Sequence, residues 1–226
     1  MKILLLVFLG HVVAILAHTI GLFILGRLAG ASVGEIGVFN GPALARLSVA
    51  GTTLRLNLIP LGGYVKFDHA EGAPGLLGRG RPLQELSVLK RLLIASSGCV
   101  ALLVVAAACL GPASALRHVA SGFPQLVQGA LHPLAVGAPL IAGLARFVAA
   151  HPVVPTVGLI ASKELAFNLL PIPLLNGWDI IMILVQVSWR FTEKVRDRIY
   201  QFGLLVLLAF VASWAVAFVY FLTSKP

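Results

Sequence analysis

Long apolar runs dominate the chain, broken by a few short polar stretches. Four of them run from about Ile3 to Leu28, Val88 to Leu110, Val153 to Val187 and Phe202 to Leu222. A helix needs about 20 apolar residues to cross a bilayer, so each run predicts a span. The third span should break at 171–173, because Pro171 and Pro173 cannot continue a helix. Between the first two spans the texture changes. Alternating stretches at 33–39, 46–49, 53–58 and 64–67, punctuated by Gly and Pro, predict short β-strands. Residues 68–82 read as a polar loop, 111–152 as amphipathic or half-inserted helices, and 192–198 as a solvated turn. The fold class expected is a single α-helical polytopic membrane domain over 1–226, with about four transmembrane helices and a small membrane-associated β-sheet (33–67) between the first and second.

Composition agrees with this pattern. Of the 226 residues, 59% are hydrophobic and 11% charged, and the mean hydropathy is +0.99. Soluble domains carry about 25% charged residues, so lipid is the expected solvent. The net charge of +9 does not point to nucleic acid, because the basic residues cluster in loops. Residues 27–91 hold Arg27, Arg46, Arg55, Lys66, Arg79, Arg81, Lys90 and Arg91 against Glu35, Asp68, Glu71 and Glu85, and 188–198 is also net basic. The positive-inside rule makes those two loops cytoplasmic, with both termini outside, in a bacterial-type inner (plasma) membrane. The first apolar run continues past the small residues near Ala17, so it reads as an uncleaved helix rather than a leader. Cys99 and Cys109 fall on one helix, about 15 Å apart along its axis, too far for a disulfide.

Two motifs carry a resemblance. Leu58-Ile59-Pro60-Leu61-Gly62-Gly63-Tyr64-Val65-Lys66 is similar to the strand segment that follows the first helix of the site-2 proteases, and Gly41-Pro42-Ala43-Leu44 fits the preceding turn. Asn168-Leu169-Leu170-Pro171-Ile172-Pro173-Leu174-Leu175-Asn176-Gly177 resembles that family's third-helix motif, N-L-x-P-x-P-x-L-D-G. The resemblance implies an intramembrane zinc protease fold. In that family H-E-x-x-H places two zinc-binding histidines on one helix face with a glutamate base between them, and the aspartate of the L-D-G motif is the third ligand. The register here is His18-Thr19-Ile20-Gly21-Leu22, with Asn176 at the aspartate position. Thr19 stands at the base, and Leu22 and Asn176 at two of the ligands. Leucine cannot bind a metal, a neutral amide is a poor zinc ligand, and a threonine hydroxyl is no general base near neutral pH. A substitute ligand is Asp179, one turn beyond Asn176.

The expectation is therefore no intact catalytic site and no cofactor, zinc being kept for the alternative of an active protease with a rearranged metal site. Thr19 is expected to bond back to the carbonyl of Ile15, Leu22 to pack near Pro173, and Asn176 to bond His18 or a freed carbonyl, closing the former site. In the family the strand segment pairs with an unwound substrate, which implies partner-binding positions at Leu56, Leu58, Gly62, Gly63, Tyr64, Lys66, Asn168, Pro171 and Pro173. The partners expected are lipid and other membrane proteins or transmembrane segments, not nucleic acid. The function expected is an inactive, site-2-protease-like protein that binds such segments or serves as a subunit of a membrane complex. Residues 111–152 are too short and apolar for the PDZ domain that many relatives insert there. A third reading is a small transporter or ion-path protein using His11, His18, Glu164 and Asp179. Lys163 and Glu164 are otherwise expected to snorkel at an interface, and His11 to bond a neighbour.

Overall fold

The computed structural model describes residues 2–49, 51–67, 80–186 and 192–224. Among them, four helices are long and apolar enough to cross a membrane: α1 (Lys2–Leu28), α2 (Val88–Leu110), the continuous stretch Pro133–Ala150, and α7 (Glu193–Thr223). The last part of Pro133–Ala150 is α4 (Ala138–Ala150), and α3 (Pro112–Leu131) precedes it. This set of four differs from the one expected. The 111–152 stretch supplies a membrane-length helix where half-inserted ones were expected. The expected span 153–187 divides into α5 (Val153–Asn168) and α6 (Asn176–Val185). Val187 lies outside the described residues.

Proline explains the division. Pro171 and Pro173 supply no N–H, and Leu174 adopts a positive φ of 85°, so the chain unwinds for seven residues and restarts at Asn176. A threonine cap explains where α7 begins. Thr192 accepts from the backbone N–H of Val195 at 3.4 Å, so 193–198 is helix rather than a turn. Gly111, at φ 81°, ends α2, and Pro112 starts α3 at a position where a missing N–H costs nothing.

The β region consists of β1 (Glu35–Val49) and β2 (Thr52–Lys66) rather than four separate strands. Both bend, β1 at Phe39 (φ 68°) and Gly41 (φ 86°), β2 at Gly62 (φ 71°). Val49 opposite Thr52 through Ala45 opposite Leu56 form an antiparallel hairpin. The first part of β1 is flanked on both sides, since Glu35 opposes both Thr53 and Lys66, and Val38 opposes both Leu56 and Gly63. The segments therefore lie in the order 63–66, 35–38, 53–56, 45–49. The alternation in the sequence marked these segments; the continuity through the bends is what it lacked. Segment 63–66 is an edge, pairing on one side only among the described residues.

Small residues bring the helices together. The core joins Ala14 of α1, Cys99, Leu102 and Ala106 of α2, Ala115 and Val119 of α3, and Ala161, Leu165 and Ala166 of α5. In lipid, helix association depends on such close backbone approach. Cys99 and Cys109 are both free thiols. The polar loop falls mostly outside the described residues, but Arg81 is tied to the segment after α1 by N–H donation to Gly30 O (2.9 Å) and acceptance from Ser32 N (3.0 Å).

Candidate functional site

Four elements converge where α1, α2, β2 and the restart at α6 meet. α1 delivers His18, Thr19 and Leu22. The chain break delivers Asn176 in the first turn of α6, and Asp179 follows on the same helix. His18 Nε2 and Asn176 Oδ1 are 2.8 Å apart, and Asn176 Nδ2 donates to Ala95 O of α2, also at 2.8 Å. Both contacts are buried, so one amide cross-links α1, α2 and α6.

This pairing fixes the histidine tautomer. Ala95 O can only accept, so the amide NH2 of Asn176 must face it, and Oδ1 must face His18. His18 Nε2 therefore carries the hydrogen. Gly98 makes room for the ring, since a Cβ there would run into His18 Cδ2 and Nε2.

Thr19 is 2% exposed, and its Oγ1 has no hydrogen-bond partner. It does not bond back to Ile15; it lies against the Gly63 backbone, where a Cβ would strike the hydroxyl. Nor does Leu22 close the site. A cavity of about 490 Å³ is lined by His18, Leu22, Asn176, Asp179, Asn168 and the strand residues Gly63, Tyr64 and Val65, with Arg91, Gln186 and Tyr200 among its other walls. Pro173 is turned away, its ring seated on Gly203 of α7. The site expected to close around Thr19, Leu22 and Asn176 thus borders a cavity, because Pro173, near which Leu22 was expected to pack, lies against α7 instead.

The residues present do not fit a zinc ion. Leu22 offers no donor atom. The Nε2 of His18 bears a hydrogen, and the Asn176 amide is committed on both ends. Asp179 lines the same cavity, and His18 with Asp179 would make two ligands. Among the described residues no three His, Cys, Asp or Glu side chains gather as a metal site would require.

The expected partner-binding positions divide. Gly63, Tyr64 and Asn168 line the cavity, and Gly62 forms the bend just before them. Leu56 and Leu58 are exposed on the sheet, 44% and 57%, away from the cavity. Pro171 and Pro173 line a separate apolar groove with Trp178 and Phe202. Lys66 is occupied with Glu35 at 3.1 Å, and Arg55 (3.3 Å) and Tyr64 OH (2.6 Å) hold the same carboxylate. Partial burial pushes the Glu35 carboxyl up, but the hydrogen bonds from Tyr64, Lys66 and Arg55 outweigh it and leave the group below the ordinary carboxylate range. Glu35 thereby staples the 63–66 edge to the rest of the sheet.

Neither Lys163 nor Glu164 snorkels. Lys163 Nζ reaches across to α3, donating to His118 O (2.9 Å), Ser121 Oγ (3.1 Å) and Gln125 Oε1 (2.7 Å). Glu164 pairs with His11 Nδ1. His11 and Glu164 do not line the cavity that holds His18 and Asp179. Ala95 and Gly98 had no signal in the sequence, because they act through a backbone carbonyl and through the absence of a side chain; the Arg91–Gln186 bond (2.9 Å) joins side chains 95 residues apart, a pairing that one sequence does not show.

The sequence model of Peptidase family M50 matches residues 5–210, from the first turns of α1 into the middle of α7. No curated protein matches the chain.

Proposed function

The chain belongs to Peptidase family M50, the site-2 protease family, and from that premise we propose that it is a non-proteolytic member that binds transmembrane segments of other membrane proteins. One observation carries the reading. Beside a ligand set reduced to one histidine, itself tied to Asn176, the 63–66 edge borders a cavity while pairing on its other side only with 35–38. An edge strand offers N–H and C=O groups that lipid cannot satisfy, and an extended partner segment can. Recognition of this kind uses backbone pairing and needs no metal. The protein acts alone in this way or as a subunit of a membrane complex, with lipid as its other partner and no nucleic acid. We place it in a bacterial-type inner (plasma) membrane, with the basic loops 27–91 and 188–198 cytoplasmic and the termini outside.

Asp179 supports a second reading, since it shares the cavity with His18: an active protease whose zinc is held by a rearranged set. One experiment separates the two. The protein is purified from membranes for elemental analysis, and a photo-crosslinking residue is placed at Val65. The docking reading expects less than stoichiometric zinc and crosslinks to a membrane segment. One zinc per chain, lost in His18→Ala and accompanied by cleavage of a model transmembrane substrate, would replace it with the second. Absence of crosslinks from Val65 in native membranes sinks the docking reading.

A further inference from the structure

We propose that His11 and Glu164 form a single-proton latch that holds the Pro60 turn of β2 against α1 and α5. His11 lies in the N-terminal half of α1. Its Nε2 is 2.8 Å from Pro60 O, and its Nδ1 is bonded to Glu164 Oε1 of α5. One imidazole thus joins three elements that are distant in sequence. The two side chains are 31% and 19% exposed.

The donor count sets the behaviour. Pro60 O can only accept, so His11 Nε2 must carry a hydrogen. Nδ1 then faces a carboxyl oxygen, and that contact needs one hydrogen between the two atoms. The hydrogen can sit on the imidazole, giving imidazolium and carboxylate, or on the carboxyl, giving two neutral groups. Either way the pair holds the same number of protons. With one proton fewer, lone pairs face each other either at Glu164 or at Pro60. The hydrogen left on the imidazole is then drawn to Nδ1 by the carboxylate, which leaves Pro60 O without a donor. With one more, the carboxyl is neutral, its second oxygen still accepts from Nδ1–H, and Nε2–H stays on Pro60 O. The latch is therefore held while the pair keeps its shared proton and released on the alkaline side.

Other ionisable groups on the surrounding elements do not engage the pair. Lys163 is bonded to α3, Arg55 and Lys66 to Glu35, Arg91 to Gln186, and His18 to Asn176. Arg117 and His118 of α3, Arg146 of α4 and Cys109 of α2 make no hydrogen bond or ion pair with either group. Asn40 Nδ2 also holds the turn, donating to Leu61 O. Gly62, at φ 71°, lies between the turn and the 63–66 edge. Releasing Pro60 therefore loosens the approach to that edge. The consequence for partner binding rests on the docking reading above; the latch itself does not.

The test is amide hydrogen exchange at 58–63 in the full chain in lipid nanodiscs. Rates are expressed as protection factors, which removes the intrinsic pH dependence, from about pH 5 to about pH 9, a range spanning histidine titration. The unaltered protein is expected to keep full protection in the acid part of this range and to lose about tenfold or more on the alkaline side, the effect of losing one charge-assisted hydrogen bond. In Glu164→Gln the amide donates to Nδ1 of a neutral imidazole at any alkaline pH, which keeps Nε2–H on Pro60 O. The alkaline fall should vanish. A flat profile in the unaltered protein overturns the latch, and so does a Glu164→Gln profile that keeps the alkaline fall. No partner takes part in the measurement, so failure here is distinct from failure of the crosslinking test.

Discussion

His18 Nε2 and Asn176 Oδ1 sit 2.8 Å apart, although 158 residues separate them in the chain. In a site-2 protease these positions would both point at a metal. Here they point at each other. The orientation is enforced from the far side by Ala95 O, which accepts from Asn176 Nδ2. The bond between the two residues lies where the family's motifs place two ligands.

Asn176→Asp tests that enforcement. The substitution supplies the family's third ligand, but a carboxylate has no hydrogen for Ala95 O and places two acceptors face to face. The expected cost is about 1–3 kcal/mol of stability, the penalty of leaving a buried polar group unsatisfied. Thermal unfolding in detergent reads it as a lowered midpoint. Zinc should not restore the midpoint, since Leu22 still offers nothing. A variant as stable as the parent, or one rescued by zinc, would show that the Ala95 contact is incidental.

How far this arrangement was legible depends on the type of signal. Proline and glycine punctuation located the broken helix and the strand segments, because those residues act through their own backbone. The register of His18 and Asn176 came from two motifs. What stayed hidden were contacts made by backbone atoms or by empty space: Ala95 O, the room at Gly98, and Gly63 lying against Thr19. Likewise Glu164 could be recognised as costly at membrane depth, but its partner His11 lies 153 residues away, and one sequence holds no information on that pairing. The apolar character of 133–150 was diluted by Gly and Pro, which is why a helix long enough to span was read as half-inserted.

Gly98→Ala should displace the His18 ring. A Cβ there would run into Cδ2 and Nε2, and overpacking of this kind costs about 1–3 kcal/mol. The specific outcome is coupling. In a His18→Ala background the penalty should largely disappear, because the ring it strikes is gone. A double-mutant cycle on unfolding midpoints measures this. Equal penalties in both backgrounds would mean that Gly98 serves helix packing in general.

Glu35 predicts the acid limit of the sheet. Its carboxyl lies below the ordinary value because Tyr64, Lys66 and Arg55 outweigh the effect of burial. A depressed native value means that the unfolded chain binds the proton first on acidification. The stabilisation is complete above the unfolded value of about 4.3 and is lost as the pH falls through the native one. Glu35→Gln should therefore be less stable than the parent near neutrality, with the gap narrowing below about pH 4.3. Unfolding midpoints of both proteins across that range provide the check; a gap that widens in acid would reverse the sign and refute the staple.

Lys163 offers a test of how α3 is fixed to the rest. Its ammonium has three acceptors on α3 and, among the described residues, no carboxylate partner. His118 O lies inside a helix and has its own backbone donor, so the interaction rests mainly on Gln125 Oε1 at 2.7 Å and Ser121 Oγ at 3.1 Å. Lys163→Met keeps the stem and removes the donors. Gln125 is then left with an unanswered amide oxygen, and the expected loss is about 1–3 kcal/mol. Replacing both ends behaves differently, because deleting a donor together with its acceptor can be nearly neutral. Lys163→Met with Gln125→Leu should therefore recover most of the stability that the single change loses. If the double variant is no better than Lys163→Met, the lysine stabilises through the buried stem or through its charge rather than through the hydrogen bonds to α3.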